Sequence, residues 1–131
     1  MERNNPAGRA TYRRYALFCI LLFQFLIAAG QSTFYSQGSG LFGTLTNWDT
    51  NPLGGGTDPV AADLTNGLNN FIIQDGHTVS VNNNPDVFDL NVGTGTSGTL
   101  TIGSVAGART IIVRNNLNVA SGASVNVASF A

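Results

Sequence analysis

The chain carries little charge, and lysine is missing from it altogether. Only 10% of its 131 residues are charged, and its one glutamate is Glu2. Residues 31–131 keep two arginines and six aspartates, which gives them a formal net charge of −4. Domains that bind nucleic acid carry a concentrated basic surface. This composition therefore argues against nucleic acid as a partner.

Cysteine is nearly absent as well. Cys19 is the only one, so the chain cannot form an internal disulfide, and backbone ladders must supply that part of its stability. Cys19 lies in the middle of an apolar run, residues 16–29 (ALFCILLFQFLIAA). We interpret it as a filler residue of that run, without a chemical role.

The apolar run predicts where the protein is sent. Four arginines precede it, and it ends in small residues before Gly30, which is the pattern of a secretory signal peptide. The run is shorter than a comfortable membrane span, and it contains Gln24. We expect residues 1–30 to be removed by cleavage after Gly30, and the rest to be secreted or held at the cell surface. Contact with the membrane is then limited to export.

Short alternating apolar pairs, separated by residues that turn the chain, recur through the second half of the sequence. A period of two is typical of β-strands, and Gly, Asn, Asp and Pro between the pairs favour turns. The first such strand holds Phe71 and Ile73 and turns at Gly76. The later pairs are Val79 and Val81, Leu90 and Val92, Leu100 and Ile102, Ile111 and Val113, Leu117 and Val119, and Val125 and Val127.

Two of these intervals coincide. The step from Val79/Val81 to Leu100/Ile102 equals the step from Leu90/Val92 to Ile111/Val113. A shared offset favours a coil repeat, in which each turn of the chain lays its strands on those of the previous turn. The sequence therefore predicts an all-β fold, a right-handed parallel β-helix of about three coils.

The segment before the coils is predicted to cover their open end. We divide the chain into the signal peptide 1–30, a lead and cap 31–68, and coils 69–131. Trp48 is expected to act as an apolar lid. Residues 58–67 predict a short helical turn, with Asp58 as the cap, Pro59 at the first helical position and Gly67 past the end. No cap is visible near Ala131, so we interpret the chain as the front end of a longer protein or a truncated product.

Several stretches resemble a known family. Residues 70–81 (NFIIQDGHTVSV), 98–103 (GTLTIG), 111–119 (IIVRNNLNV) and 122–127 (GASVNV) are similar to the N-terminal region of exported bacterial β-helix or adhesin-like proteins. Those proteins use the type IX, gliding-associated secretion route, and the eight-glycine domain has similar rungs. The resemblance covers most of residues 31–131. It implies a surface or extracellular role.

Few residues suggest chemistry. His77 stands close to Asp75 and could form an acid–base pair, but the segment is also ordinary turn-to-strand sequence, and we favour that interpretation. The run 54–58 (GGGTD) faintly resembles calcium-binding repeats, although it occurs only once. Asp86 and Asp89 suit a solvated loop as well as a carboxylate pair. Arg109 and Arg114 could bind an acidic polysaccharide, but a role in solubility at strand ends is favoured.

We therefore expect an exported structural or adhesive module with no catalytic residue, metal or cofactor of its own. Its expected partner is a cell-surface or extracellular polysaccharide, and the uncapped end predicts end-to-end self-association. One alternative is the N-terminal part of a carbohydrate-active β-helix enzyme, a polysaccharide lyase or glycoside hydrolase. A second alternative is a small glycan-binding β-sandwich.

The predicted signal peptide can be tested directly. The protein recovered from the exported fraction of a bacterial host should begin at Gln31, and part of it should carry a cyclised N-terminal glutamine. Intact-mass and N-terminal peptide spectrometry would show both features. A mass that retains residues 1–30 would contradict the signal peptide.

Overall fold

A computed structural model describes residues 30–103 and 107–128, and these residues are almost entirely strand and turn. The predicted signal peptide and Cys19 lie outside the described residues. Two single-turn 3-10 helices, Leu45–Asn47 and Ala61–Leu64, are the helical elements that the structure assigns there. The strands are β1 Thr33–Ser36, β2 Gly40–Leu41, β3 Trp48–Asp49, β4 Asn70–Ile73, β5 Thr78–Val81, β6 Asp86–Val87, β7 Leu90–Val92, β8 Thr99–Ile102, β9 Ile112–Val113, β10 Leu117–Val119 and β11 Ser124–Val127.

The strands form three sheets. The first has the order β10-β7-β4-β1-β3, the second β11-β8-β5-β2, and the third is the pair β6-β9. Every pairing is parallel except that of β3 with β1, which is antiparallel. Because β1 and β2 pair with β4 and β5, residues before and after position 68 share the same sheets. Parallel pairs therefore predominate, whereas β-sandwiches are typically built from antiparallel sheets.

The described residues are sheet-rich, as the all-β prediction requires, but the prediction of a right-handed parallel β-helix of about three coils is wrong. The first sheet is mixed, and the pairing offset is not constant. It is 21 residues where β5 meets β8, 25 where β8 meets β11 and 27 where β7 meets β10. The fold is a set of mixed and parallel sheets with almost no helix.

One of the two intervals behind that prediction was a coincidence. Val79 pairs with Leu100, as expected. Leu90, however, pairs with Leu117, and Val113 pairs with Val87 in the separate third sheet. The turns between strands differ in length, and the register follows which apolar side chains can stack, so equal spacing along the chain does not fix the partner.

The core is built from the inward-facing residues of successive strands. Phe71, Ile73, Val79, Val81, Val87, Leu90, Val92 and Leu100 are all fully buried. Because alternate residues of a strand face opposite sides, their neighbours face outward. Ile102, Ile111, Val113 and Val125 are partly buried against this core, whereas Leu117 and Val119 are about half exposed.

An aromatic cluster closes the N-terminal end of the core. Trp48 is fully buried, and its indole Nε1 donates a hydrogen bond to the Phe42 carbonyl oxygen at 2.8 Å. The Trp48 ring meets Phe71 edge to face at a centroid distance of 5.0 Å, and the rings of Phe34 and Phe42 each lie 5.3 Å from that of Phe71. Such ring pairs add to the free energy gained by burial alone.

The helical turn is shorter than predicted, and Asp58 does not cap it. The turn is the 3-10 helix Ala61–Leu64, and Asp63 accepts the backbone N–H of Val60 at 2.9 Å. Asp58 is exposed, and Pro59 lies two residues before the helix. Gly67 comes after the helix with φ +69° and donates its N–H to the Asp86 carbonyl oxygen. Asp63 is the third residue of the turn, the position from which a side chain reaches back to the backbone N–H of the residue before the helix.

Within residues 30–103 and 107–128, no helix has the length and apolar character needed to cross a membrane.

The aromatic cluster predicts a large effect of one substitution. Trp48→Ala should lower the free energy of unfolding by about 3–5 kcal/mol, because it leaves a cavity in the core. Trp48→Phe should cost less, since it keeps most of the ring contacts. Urea unfolding followed by circular dichroism measures both. Leu53→Ala is the control, because Leu53 is 93% exposed and its loss should change stability by no more than about 0.5 kcal/mol. Equal effects of Trp48→Ala and Leu53→Ala would contradict the assignment of Trp48 to the core.

Candidate functional site

The outward side of the second sheet carries two columns of polar side chains. The register stacks Thr78, Thr99 and Ser124 in one column, and Ser80, Thr101 and Asn126 in the other. Between them, Val79 and Leu100 point inward and are fully buried. We call these six polar residues the hydroxyl face.

The hydroxyl face is ordered by its strands. Neighbouring strands lie about 4.8 Å apart, and alternate residues of one strand about 6.5–7 Å apart, so the polar groups form a regular grid. The Thr99 and Ser124 hydroxyl oxygens are 3.3 Å apart. The column continues toward β2, where the Ser39 hydroxyl accepts the backbone N–H of Thr78 at 2.8 Å. Strands fix the threonine side chains, because β-branching restricts χ1.

The chemistry of this face is neutral. All six side chains are hydroxyls or an amide, so each can both donate and accept hydrogen bonds, and none is charged. Thr78 and Asn126 are exposed, and the other four are half-buried. Such a grid suits an uncharged ligand that itself presents hydroxyl groups at regular intervals.

The outward side of the first sheet is less continuous. Asn118 donates from Nδ2 to the Asn91 Oδ1 at 2.8 Å, and Asn70 donates to the Thr33 hydroxyl at 3.3 Å. The Asn91–Asn118 column continues to Ile72 and then Tyr35, and the Thr33–Asn70 pair belongs to a separate column. An apolar side chain therefore interrupts the polar column, and the hydroxyl face is the longer polar array.

His77 does not meet Asp75. Its ring Nδ1 lies 2.7 Å from the hydroxyl oxygen of Ser36, which also accepts the backbone N–H of Gln74 at 2.9 Å. Ser36 is fully buried, so its hydroxyl links the ends of the neighbouring strands β1 and β4. A substrate cannot reach it. Sequence reasoning missed Ser36, although its place two residues after the buried Phe34 put a polar group on the inward side of β1.

Asp75 instead organises a loop. Its carboxylate accepts the backbone N–H groups of Thr94, Gly95, Thr96 and Ser97 at 2.9–3.3 Å. These hydrogen bonds, with that of Thr94 the largest cause and that of Ser97 next, lower the pKa of Asp75 from 3.8 to about 2. The carboxylate is held in its charged form because it satisfies amides that would otherwise lack partners.

The glycine-rich loop after Trp48 is built around Asp49, and Asp58 takes no part in it. The Asp49 carboxylate accepts the N–H groups of Asn51 at 2.6 Å and Gly56 at 3.0 Å. A Cβ atom at Gly56 would lie only 2.3 Å from Asp49 Oδ1, so glycine is required there. Across the described part of the chain, no group of three or more His, Cys, Asp or Glu side chains is placed to hold a metal ion.

The remaining candidates pair with neighbouring strands and loops. Arg114 donates to both carboxylate oxygens of Asp86, with Nε 2.7 Å from Oδ1, and this partner raises the pKa of Arg114. Its side chain covers Gly67, where a Cβ atom would meet Nε. Asp89 accepts hydrogen bonds from the Asn115 amide and the Asn116 N–H, both at 2.9 Å. Arg109 also has an interaction within the fold.

Comparisons with protein-family models, with curated proteins and with solved structures found no match to this chain.

The lowered pKa of Asp75 predicts a pH dependence of stability. Because the folded-state pKa lies below the ordinary value, this carboxylate stabilises the fold above about pH 4 and stops doing so as the pH falls toward 2. Asp75→Asn should therefore lower the melting temperature at pH 7. The difference in melting temperature between this variant and the unmodified protein should become smaller as the pH falls from 4 to 2. Thermal melts followed by circular dichroism at several pH values measure this.

Asp58→Asn is the matched control for that experiment, because Asp58 is an exposed loop aspartate. Its melting curves should follow those of the unmodified protein at each pH. A gap for Asp75→Asn that stays constant down to pH 2 would show that the charge of Asp75 does not stabilise the loop.

Proposed function

We propose that this chain is an exported adhesive module that binds a neutral polysaccharide through its hydroxyl face, without catalysis of its own. The observation that carries the proposal is the pair of uncharged polar columns on β5, β8 and β11. Export is inferred from the arginine-flanked apolar run 16–29, and an extracellular polysaccharide is the ligand class that such a protein meets.

The hydroxyl face supports a saccharide ligand on chemical grounds. A neutral sugar chain presents hydroxyl groups that donate and accept hydrogen bonds, as do the threonine, serine and asparagine side chains of the face. Each such hydrogen bond contributes only about 0.5–1.5 kcal/mol net. Affinity must therefore come from several contacts made together, which a regular grid of fixed side chains provides at a small entropic cost.

The other polar side chains favour adhesion over catalysis, because they already make hydrogen bonds or ion pairs within the fold. The Ser36 hydroxyl is buried against His77, the Asp75 carboxylate holds residues 94–97, and Asp86 is paired with Arg114. A catalytic acid, base or nucleophile needs access to a reacting group. These groups instead fix strands and loops, so binding is the activity that the geometry favours.

The test is binding of the exported protein to insoluble neutral polysaccharides, such as cellulose, chitin and a neutral glucan, with alginate and pectate as acidic counterparts. The protein should sediment with at least one neutral polymer, and binding should persist at high salt because no charge takes part. The double variant Thr99→Val, Thr101→Val should weaken that binding by about tenfold or more, since it removes two hydroxyls and keeps the β-branched shape.

Thr33→Val is the matched control, because Thr33 is an outward threonine on the first sheet. It should bind as the unmodified protein does. Equal losses in Thr33→Val and the double variant, or binding restricted to the acidic polymers, would overturn the proposal. So would failure to bind any of the neutral polymers.

A further inference from the structure

The hydroxyl face is longer across the strands than along them. In its first column, Thr78, Thr99 and Ser124 lie side by side in the register. The column continues past Thr78, because the Ser39 hydroxyl accepts the Thr78 backbone N–H at 2.8 Å. Along each strand, by contrast, only two outward residues belong to the face. A polymer that uses the whole face must therefore lie across the strands.

The second column begins with an apolar side chain. Leu41 of β2 pairs with Ser80 in the register and is 39% exposed. Thr101 and Asn126 continue the column on β8 and β11. The face thus combines hydroxyl and amide groups with one apolar contact. Binding sites for small organic groups typically combine apolar surface with a few placed polar groups, and a sugar ring presents both C–H and hydroxyl groups.

The floor between the two columns is peptide backbone. Val79, Leu100 and Val125 occupy the positions between the columns, and their side chains pack into the core. Their peptide groups belong to the parallel ladders that join β5, β8 and β11. No side chain rises from this floor, and the columns on either side of it lie about 6.5–7 Å apart. The floor is therefore a shallow channel that can hold a flat, apolar surface.

The step across the strands selects among neutral polysaccharides. Successive strands present a polar side chain of each column at intervals of about 4.8 Å. Hexoses joined by β-1,4 linkages form an extended chain, because both bonds that continue the chain are equatorial, and each sugar advances the chain by nearly this distance. Helical glucans advance much less per sugar, and their hydroxyls turn away from a flat surface. The step therefore favours the extended chain.

The width of the channel favours the same polymer. A β-1,4-linked hexose chain is a ribbon with C–H groups on its flat sides and hydroxyl groups along both edges. With one flat side on the backbone floor, each edge of the ribbon lies over one polar column. Rotation about the linkages allows such a ribbon to follow the twist of the sheet.

We propose that the ligand of the hydroxyl face is an extended β-1,4-linked hexose polymer of the cellulose or chitin class, which lies across the strands with one sugar on each. This inference rests on the proposed function and narrows its ligand from neutral polysaccharides to one linkage class. The two columns hold the edges of the ribbon by hydrogen bonds, and the backbone floor contacts the sugar rings.

The first test compares insoluble polymers that differ in linkage. Cellulose, a β-1,3-glucan and starch are all uncharged polymers of glucose, and chitin is a second β-1,4-linked polymer. The exported protein should bind cellulose or chitin about tenfold more tightly, or better, than it binds the β-1,3-glucan and starch. Sedimentation of the protein with each polymer over a range of protein concentrations measures the dissociation constants.

The second test measures the direction of the sugar chain on the face. Soluble β-1,4-linked oligosaccharides should displace the protein from its polymer, and a tetrasaccharide should do so at about tenfold lower concentration than a disaccharide, because it reaches more strands. Thr78→Val should raise the required tetrasaccharide concentration by about threefold or more. It should affect the disaccharide less, since a disaccharide can still lie on β8 and β11.

Thr33→Val is again the matched control, because Thr33 lies on the first sheet, and it should leave both concentrations unchanged. Circular dichroism melts of the two variants show whether each keeps the fold. Equal binding to the β-1,4-linked and the other neutral polymers would overturn this inference and leave the proposed function standing. Equal displacement by the disaccharide and the tetrasaccharide would do the same. Failure to bind any neutral polymer would overturn both.

Discussion

The structure depends on parallel pairing that places apolar side chains directly over apolar side chains. Phe71 lies over Leu90, and Val79 over Leu100, with all four fully buried. A shift by one residue would turn each strand's apolar set toward solvent, so this stacking fixes the register. The same register then aligns the outward residues, and the hydroxyl face is a by-product of how the core is packed.

Aspartate side chains fix the loops that the ladders leave free. Asp49, Asp75 and Asp89 each accept backbone N–H groups from loop residues. Loop amides need partners as strand amides do, and a short charged side chain makes strong hydrogen bonds at a fixed reach. Apart from the exposed Asp58, the aspartates of residues 31–131 thus make hydrogen bonds or ion pairs inside the fold, and the hydroxyl face is left uncharged.

The sequence was sufficient to predict strands, and it was insufficient to predict which strands pair. Period-two apolar pairs identified β5, β7, β8 and β10, and the Val79–Leu100 register was confirmed. The Leu90–Ile111 register was wrong, because turns of unequal length separate the strands. The Ser36–His77 contact joins residues 41 apart, and no local pattern marks it. The hydroxyl face likewise becomes visible only when the register is known. The signal peptide and the family resemblance stay predictions.

The parallel pairing also follows the order in which the strands occur along the chain. β4 pairs with β1, β7 with β4 and β10 with β7, while β8 pairs with β5 and β11 with β8. Apart from the strands that begin each sheet, every strand has a partner that precedes it in the chain. A polypeptide that leaves a ribosome or a translocation channel N-terminus first would therefore deliver each template before the strand that needs it.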